Sequence, residues 1–325
     1  MKYVELGNTG IIVSKICVGG MSFGEASSDF HEWTLTQEET TNMIKVAYEN
    51  GINFIDTANC YSHGTSEIFI GIALKELGIP RDKAVIASKV YFNEGKLSKE
   101  AIFREIEGTL SRLQTDYLDL YQIHRFDYDT PIAEVMEALN ELIRLGKVRA
   151  IGASAMYGYQ FHNMQVEAEK RGLKLFSTMQ NHYNLLYRED EREMIPVCQQ
   201  YGVSLIPYSP LAGGHLSHLG WTSDSLRSKT DRTLRKKYDS CMENDLVIIK
   251  RVNEIALKYH VSMAQVALAW LFKKGVASCI VGATKVHHFL DAIKAVDLEL
   301  TDEDVLYLEE EYEHHKIVGA LPEGK

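Results

Sequence analysis

Four polar side chains follow short apolar segments of the sequence, and together their types could transfer a proton. They are Asp56, Tyr61, Lys89 and His124. A phenol with a pKa of about 10 is a weak acid at neutral pH, but a nearby ammonium favours the phenolate and lowers that pKa. We therefore expect Lys89 to make Tyr61 a better proton donor, with Asp56 holding the lysine in place. His124 would orient a carbonyl group by a hydrogen bond.

Each of these residues taken alone has a simpler interpretation. A buried ion pair, a core histidine and a tyrosine at a rim are common structural features, and none of them predicts catalysis by itself. Their spacing is more informative, because the four follow three consecutive segments that predict strands. In a barrel such strand ends meet at one rim, where the active sites of that fold lie. Asp56 and Lys89 could neutralise each other there.

Those three segments belong to a set of eight short apolar runs that alternate with longer amphipathic segments. Short runs of this kind are typical of parallel strands buried on both faces. Eight strands that are each followed by a helix predict a (β/α)8 TIM barrel or a doubly wound sheet. The glycine-rich segment at 19–24 lacks the dinucleotide-binding fingerprint, which favours the α/β barrel. The predicted strands are Ile16–Val18, Asn53–Asp56, Val85–Lys89, Leu118–His124, Val148–Ser154, Ser177–Gln180, Ser204–Tyr208 and Cys279–Val281.

Helical periodicity fills the segments between the strands. Thr36 suits the cap of the first helix, and Gly51 suits the position just after its end. Two helices, Asp245–His260 and Asp302–His314, are extra to the eightfold repeat. The start of the chain predicts a small hairpin that could plug the N-terminal mouth of the barrel. The hairpin strands are Tyr3–Leu6 and Ile11–Val13, and the repeat helices include Gln37–Asn50, Ser98–Leu113, Pro131–Leu145 and Glu191–Tyr201.

The composition fits a single globular domain over residues 1–325. The chain is 45% hydrophobic and 25% charged, so it can build the large core of a barrel. Its net charge of −10 argues against nucleic acid or an acidic membrane as a partner. We see no membrane-spanning run and no signal peptide, and the five scattered cysteines fit a reducing compartment. We expect a cytoplasmic protein, and the sequence makes no prediction of its oligomeric state.

Several motifs carry a resemblance to a known family. The segment Gly51–Glu67 resembles the aldo-keto reductase signature around the catalytic Asp and Tyr, and the runs that end at Lys89 and His124 resemble the catalytic Lys and His segments. The match extends from Leu6–Gly10 to Ile280–Lys285. The chain is thus identified as an aldo-keto reductase of bacterial type, related in fold to potassium-channel β subunits. The resemblance implies that Asp56, Tyr61, Lys89 and His124 form the catalytic tetrad.

The resemblance also implies a nicotinamide cofactor at the same rim. In the family, residues after strands five and six bind the carboxamide, and an aromatic residue after strand seven stacks on the ring. This chain has Ala155 where many relatives have Asn. The implied cofactor-binding residues are Gly20, Met21, Asp56, Ser154, Gln180, Tyr208, Ser209, Pro210, Leu211, Gly213, Gly282, Thr284, Lys285, His288 and Asp291.

The segment after the eighth strand decides which cofactor is expected. In the family this segment binds the adenosine 2′-phosphate, and here it carries Thr284 and Lys285 at the start of a predicted helix. A hydroxyl and an ammonium at a helix start make a plausible phosphate clamp. We therefore expect NADPH (NADP) rather than NADH, although a solvated lysine at a helix start is common by itself.

The irregular segment Leu211–Met242 predicts a binding loop, since it exceeds the length of an ordinary connection. Trp221 lies in it, and Trp33 lies in the loop after the first strand. Tryptophans in such loops often line ligand pockets, so both are candidates for the substrate site with Tyr61 and His124. The implied activity is NADPH-dependent reduction of a small-molecule aldehyde or ketone to the alcohol.

Two alternatives stand beside a reductase. One is a cofactor-binding regulatory subunit with little turnover, as in the channel β subunits; the chain keeps His124, where those proteins can differ. The other is a metal-dependent hydrolase on the same barrel. His215 and His218 have the spacing of metal ligands, but no carboxylate or cysteine accompanies them. We therefore expect solvent-facing histidines there and predict no metal site.

Overall fold

Ten strands build the centre of the protein. The computed structural model describes residues 1–27, 30–222, 230–231 and 237–317. The strands are β1 (Tyr3–Glu5), β2 (Ile12–Ser14), β3 (Ile16–Gly19), β4 (Phe54–Asp56), β5 (Val85–Val90), β6 (Leu118–Ile123), β7 (Val148–Ser154), β8 (Thr178–Gln180), β9 (Ser204–Leu205) and β10 (Cys279–Val281). β1 and β2 form an antiparallel hairpin, and the other eight form one parallel sheet in the order β10-β3-β4-β5-β6-β7-β8-β9.

The two ends of the eight-stranded sheet meet, so the sheet curls into a barrel. Ala277 N donates to Leu205 O at 3.0 Å, and Ile280 N donates to Pro207 O at 3.2 Å. β9 is shorter than the predicted Ser204–Tyr208, because Pro207 has no N–H to continue the ladder. Pairing resumes only as a single bridge between His182 and Tyr208. The predicted (β/α)8 barrel is confirmed.

Helices surround the barrel in the alternation that the sequence predicted. Thr36 caps the first helix through a reciprocal capping box with Glu39, and Gly51 takes a positive φ of 83° just after its end. The described helices are α1 (Gln37–Glu49), α2 (Thr65–Glu76), α3 (Lys99–Leu113), α4 (Ile132–Arg144), α5 (Gly158–Lys170), α6 (Met194–Tyr201), α7 (Met242–Tyr259), α8 (Met263–Lys273), α9 (Val286–Lys294) and α10 (Asp302–Glu309).

The two extra helices are α7 and α10, and the predicted end of α10 at His314 is wrong. The helix ends at Glu309 because the buried Glu189 holds the following segment in another conformation. The Glu189 carboxylate accepts from Tyr312 Oη at 2.9 Å, from His314 Nδ1 at 3.1 Å and from the His315 backbone N–H at 2.9 Å. Three hydrogen bonds to one carboxylate stabilise this conformation more than a few further helical residues would stabilise the helix.

The N-terminal hairpin closes the bottom of the barrel as predicted. Its buried side chains Leu6, Ile11 and Val13 belong to the same apolar cluster as residues from the barrel strands. That cluster excludes water from the lower half of the barrel, so polar side chains can gather only near the upper mouth. The strand residues in the cluster are Cys17, Phe54, Val85, Ala87, Leu120, Ala150 and Ile280, and Ile206 joins them just after β9.

Within the described ranges, no single helix is long and apolar enough to cross a membrane. Asp239–Tyr259 and Met263–Lys273 pass that test only as a pair, bent by 97°.

The predicted binding loop, Leu211–Met242, contains a short 3-10 segment at Ala212–Ser217. Residues 223–229 and 232–236 of this loop lie outside the described part of the chain.

Candidate functional site

The barrel brings the four predicted catalytic residues to its upper mouth. Asp56 ends β4, Lys89 is the penultimate residue of β5, and His124 directly follows β6. The parallel register pairs Lys89 with Gln122 and Asp56 with Ala87, so the three strand ends are neighbours. Proximity of these residues therefore follows from the order of the strands.

Tyr61 reaches the same place through a tight turn after β4. The turn runs from Tyr61 to Gly64, and Ser62 and His63 take left-handed φ values of 44° and 55°. Gly24 lies against it with a φ of 116°, and a Cβ there would come within 2.6 Å of Ser62 Cβ. A glycine at this position thus lets the loop after β3 pack closely on the turn that carries the tyrosine.

Lys89 is the centre of a dense set of hydrogen bonds. Its Nζ donates to Asp56 Oδ2 at 2.6 Å, to Thr57 O at 2.7 Å and to Tyr61 Oη at 3.2 Å. The lysine is fully buried, and three acceptors match the three donors of an ammonium. The charge is therefore satisfied by the protein and held in one position beside the phenol.

Two glutamines, of which Gln122 was not predicted as a site residue, hold the carboxylate. Gln122 Nε2 and Gln180 Nε2 donate to Asp56 Oδ1 at 3.0 and 2.8 Å. Asp56 thus uses one oxygen for the lysine and the other for two amides, which fixes its orientation. The position of Gln122, two residues before His124 and on the same side of β6 by strand alternation, was the signal available in the sequence.

The expected net lowering of the Tyr61 pKa is wrong. Burial raises the pKa of Tyr61 above its ordinary value, and the Lys89 ammonium lowers it by less. The lysine acts in the expected direction, but the cost of desolvating a phenolate is larger. Burial also opposes the charged form of Lys89, yet Asp56 and Tyr61 hold the lysine pKa above its ordinary value. At neutral pH the pair is an ammonium beside a protonated phenol.

His124 is neutral and has a specific neighbour at one ring nitrogen. Burial, then the charges of Lys89 and Arg125, hold the pKa of His124 well below its ordinary value. Cys60 Sγ lies 3.9 Å from Nδ1, and burial raises the pKa of the Cys60 thiol to about 11. A protonated thiol can donate to Nδ1, which leaves the hydrogen on Nε2 for a carbonyl oxygen.

Aromatic side chains that were not predicted surround the tyrosine and the histidine, and the role of Trp33 toward a substrate stays a prediction. The Phe30 ring lies 6.3 Å from Tyr61, and the Phe92 ring lies 5.0 Å from His124, both between centroids. Trp33 is buried and contacts His31 at 4.6 Å. The structure thus brings Phe30 and Phe92 to the tetrad, and neither was predicted from the sequence.

Trp221, the other predicted substrate residue, packs within its own loop. Its ring stacks on His215 at 4.1 Å, and its Nε1 donates to Asp239 at 3.0 Å. The expectation of a solvent-facing His215 is wrong, because this stacking and the nearby Tyr238 ring leave only 6% of the histidine exposed. The role of Trp221 toward a substrate stays a prediction.

Three of the predicted nicotinamide residues lie at the ends of the next strands: Ser154 ends β7, Gln180 ends β8, and Tyr208 comes three residues after β9. Tyr208 stacks on His182 at 5.1 Å with an interplanar angle of 7°, and the Lys237 ammonium lies 4.6 Å from the tyrosine ring centroid. Ser154 Oγ donates to Gln180 O at 2.8 Å. The ends of β7 and β8 and the segment after β9 therefore present a hydroxyl, an amide and an aromatic ring, and the amide of Gln180 contacts Asp56.

Backbone conformation distinguishes the loops beside these residues. Ala155 has a φ of 41°, in a left-handed region that Asn tolerates better than Ala does. After Tyr208, the predicted pyrophosphate loop has positive φ values at Ser209, Ala212 and Gly213. Within the loop, Ala212 N donates to Ser209 O at 2.9 Å and Gly214 N donates to Leu211 O at 2.8 Å, and its contact with a pyrophosphate stays a prediction.

The predicted phosphate clamp lies at the start of α9. Lys285 is the N-cap residue, is exposed and makes no ion pair within the described residues. Thr284 precedes it and is half-buried. Burial, then His287 and Lys285, lower the pKa of His288, so this side chain is neutral at neutral pH. The predicted roles of all three toward a phosphate are untested by this geometry.

Asp291, predicted near the adenine, has partners in the neighbouring helix. Its carboxylate accepts from Ser262 Oγ at 2.5 Å and from Gln265 Nε2. Ser262 is the N-cap of α8, so Asp291 joins the start of α8 to α9. The adenine contact stays a prediction.

Known proteins share this sequence and architecture. Residues 15–313 match the sequence profile of the Aldo/keto reductase family. A Schizosaccharomyces pombe protein, named as a candidate aryl-alcohol dehydrogenase, is 44% identical, and the match covers 98% of each chain. The versiconal hemiacetal acetate reductase of Aspergillus parasiticus is 41% identical over 96% of this chain and 97% of its own.

A solved structure gives the same result for the fold. The crystal structure of a thermostable aldo-keto reductase in complex with the inhibitor epalrestat is 29% identical, with a TM-score of 0.77 over 96% of this chain and 100% of that chain. Both relatives named above are fungal, so the bacterial-type affiliation and the relation to channel β subunits stay predictions. On the profile match and on identities above 40% over nearly its full length, this chain belongs to the aldo/keto reductase family.

Proposed function

We propose that the protein reduces an aldehyde or ketone to the alcohol, with NADPH as hydride donor and Tyr61 as proton donor. The observation that carries this proposal is the 3.2 Å hydrogen bond from Lys89 Nζ to Tyr61 Oη. It joins a buried, fully satisfied ammonium to a half-buried phenol at the mouth of the barrel. Such a pair supports proton transfer, because the ammonium stabilises the phenolate that remains after the proton leaves.

The residues at the mouth fit a nicotinamide ring. Gln180 Oε1 accepts no hydrogen bond from any residue in the described ranges, so it can accept one from a carboxamide. His182 covers one face of Tyr208. A nicotinamide would stack on the other face, and the Lys237 ammonium lies 4.6 Å from the centroid of the same ring. The bound cofactor would supply the hydride for the carbonyl carbon.

The chain's own residues account for the remaining steps. The carbonyl oxygen would accept hydrogen bonds from His124 Nε2 and Tyr61 Oη, which polarises the C=O bond. As the carbon–oxygen π electrons move to oxygen, the Tyr61 proton transfers to that oxygen. Lys89 holds the resulting phenolate, and Asp56 with its two glutamines keeps Lys89 in position. The intact set of donors favours turnover over a purely regulatory, cofactor-binding role.

The preference for NADPH rests on the start of α9. Lys285 is an exposed cation without an ion pair in the described residues, and it directly precedes the first turn of a nine-residue helix. The positive end of the helix dipole and the ammonium act in the same direction on a phosphate. NADPH differs from NADH only by that phosphate.

Tyr61→Phe tests the proposal. We expect kcat for a panel of aldehydes and ketones to fall by about 10²-fold or more, while the cofactor dissociation constant stays nearly unchanged. NADPH oxidation measures turnover, and fluorescence titration measures binding. Tyr48→Phe, at an exposed tyrosine on α1, is the matched control and should retain wild-type turnover. Near-normal turnover by Tyr61→Phe would contradict the assignment of the proton donor.

A further inference from the structure

Arg125 stands apart from the other arginines of this acidic protein. Within the described ranges, every other arginine forms an ion pair with a carboxylate, and Arg125 forms none. The chain has 45 acidic residues for 35 basic ones, so an arginine without an acidic partner is unusual here. The side chain is also partly buried, where an unpaired charge is costly.

The guanidinium of Arg125 lies beside the candidate catalytic histidine. Its Nη1 donates to His124 O at 3.0 Å, and its central carbon lies 5.7 Å from the centroid of the Phe92 ring. Phe92 packs edge-on against the His124 ring at 5.0 Å, yet it is 52% exposed. One exposed aromatic ring and one unpaired cation thus adjoin the residue that would hold the carbonyl.

The charge of Arg125 also acts on residues across the mouth. Burial raises the pKa of Tyr208 to about 12 and of Cys60 to about 11, and Arg125 opposes the rise at both. These two residues follow β9 and β4, whereas Arg125 follows β6. Arg125 therefore lies within electrostatic reach of residues that follow two other strands of the barrel.

We propose that Arg125 binds a carboxylate carried by the substrate at a distance from its reacting carbonyl, and that Phe92 contacts an aromatic ring between the two groups. The preferred substrates are then aryl aldehydes or ketones that bear a carboxylate. This inference rests on the proposed function of the same site. The planar guanidinium fork matches a carboxylate, and the substrate would supply the partner that the protein does not. The carboxylate takes no part in the reduction.

Two aldehydes that differ in charge test the inference. 4-Formylbenzoate and methyl 4-formylbenzoate have the same ring and the same reacting group, and only the first is an anion. The ester withdraws electrons more strongly, so intrinsic reactivity favours the ester. We expect kcat/KM to favour the carboxylate by about tenfold nevertheless. This preference should shrink as salt is raised, because the site is open to solvent.

Three variants connect the preference to the guanidinium. Arg125→Gln should lower the carboxylate-to-ester ratio of kcat/KM by about tenfold, and Arg125→Lys should keep part of it, since the charge remains without the fork. Arg144→Gln is the matched control: it changes the net charge equally at an exposed arginine on α4 that pairs with Glu141. Its ratio should equal that of the unmodified protein.

The outcomes separate this inference from the proposed function. A ratio that Arg125→Gln leaves unchanged, or that Arg144→Gln lowers equally, overturns the role of Arg125 while the reductase stands. If the protein reduces other carbonyl compounds but neither formylbenzoate compound, the substrate class is wrong. If no carbonyl compound is reduced with NADPH or NADH, the proposed function itself fails.

Discussion

Two buried carboxylates accept hydrogen bonds from side chains of strand β5, and only one of them faces the barrel mouth. Glu67 accepts from Ser88 Oγ at 2.5 Å and from Arg112 Nε at 2.6 Å. Asp56 accepts from Lys89 Nζ at 2.6 Å. Ser88 and Lys89 are adjacent in the sequence, and the strand pleat directs their side chains to opposite faces. One network therefore ties β5 to the surrounding helices, and the other lies inside the barrel.

The two networks differ in what else they reach. Glu67 is fully buried, and Ser88 and Arg112 each hold one of its oxygens. Lys89 has an additional partner, the hydroxyl of the half-buried Tyr61. Burial and ion pairing are common to both networks, so neither property identifies a catalytic pair by itself. A phenol hydroxyl at an opening, hydrogen-bonded to the lysine, distinguishes the second network.

The largest effect is expected from Lys89→Met. The variant removes the ammonium that stabilises the Tyr61 phenolate, so kcat should fall by about 10²-fold or more. Reduction needs the phenol form, which exists below the Tyr61 pKa. Burial sets that pKa above its ordinary value and Lys89 lowers it, so without Lys89 the alkaline limb of the pH–rate profile should move to higher pH.

Steady-state kinetics across a pH range measure both effects of Lys89→Met. Gln122 and Gln180 donate to Asp56 independently of Lys89, so we expect the variant to fold, and circular dichroism checks this. An unchanged pH–rate profile in a variant that still turns over would argue against the coupling of Lys89 to Tyr61.

Glu67→Gln should disrupt the network of Glu67, Ser88 and Arg112, and it should lower stability rather than turnover. The Arg112 guanidinium loses its carboxylate, and the free energy of unfolding should fall by about 2 kcal/mol. The folded variant should keep its turnover, because Glu67 lies outside the barrel mouth. Urea unfolding and activity at low temperature measure the two quantities. Glu141→Gln removes a carboxylate from an exposed pair with Arg144 and should cost less than about 0.5 kcal/mol. A loss of turnover without a loss of stability would erase the distinction between the two networks.

Lys285→Ala extends the comparison from the paired cations Lys89 and Arg112 to an exposed one. Lys285 is neither buried nor paired within the described residues. We expect the dissociation constant for NADPH to rise by about tenfold, less at high salt, and that for NADH to stay nearly constant. Lys45→Ala, at an exposed lysine on α1, should change neither. Tryptophan fluorescence quenching at two salt concentrations measures both constants. Equal weakening of both cofactors would show that Lys285 does not bind the 2′-phosphate.

Much of the fold could be predicted because its periodicities are local. Short apolar runs and amphipathic segments have different spacings, which predicted the barrel, the hairpin and the positions of the extra helices. The ends of elements were less predictable where distant groups decide them. The last helix ends at Glu309 because Glu189, far away in the sequence, holds His314 and His315 in another conformation.

The sequence by itself determined that Asp56, Tyr61 and Lys89 would lie together, because a parallel barrel brings successive strand ends to one rim. Only the tertiary structure decided how these groups are balanced. Burial raises the pKa of Tyr61 by more than the Lys89 ammonium lowers it. The extent of burial depends on every element that packs around the phenol. Likewise, no local pattern shows that Arg125 has no carboxylate partner among the described residues, since ion pairing depends on which acidic side chains the fold brings within reach.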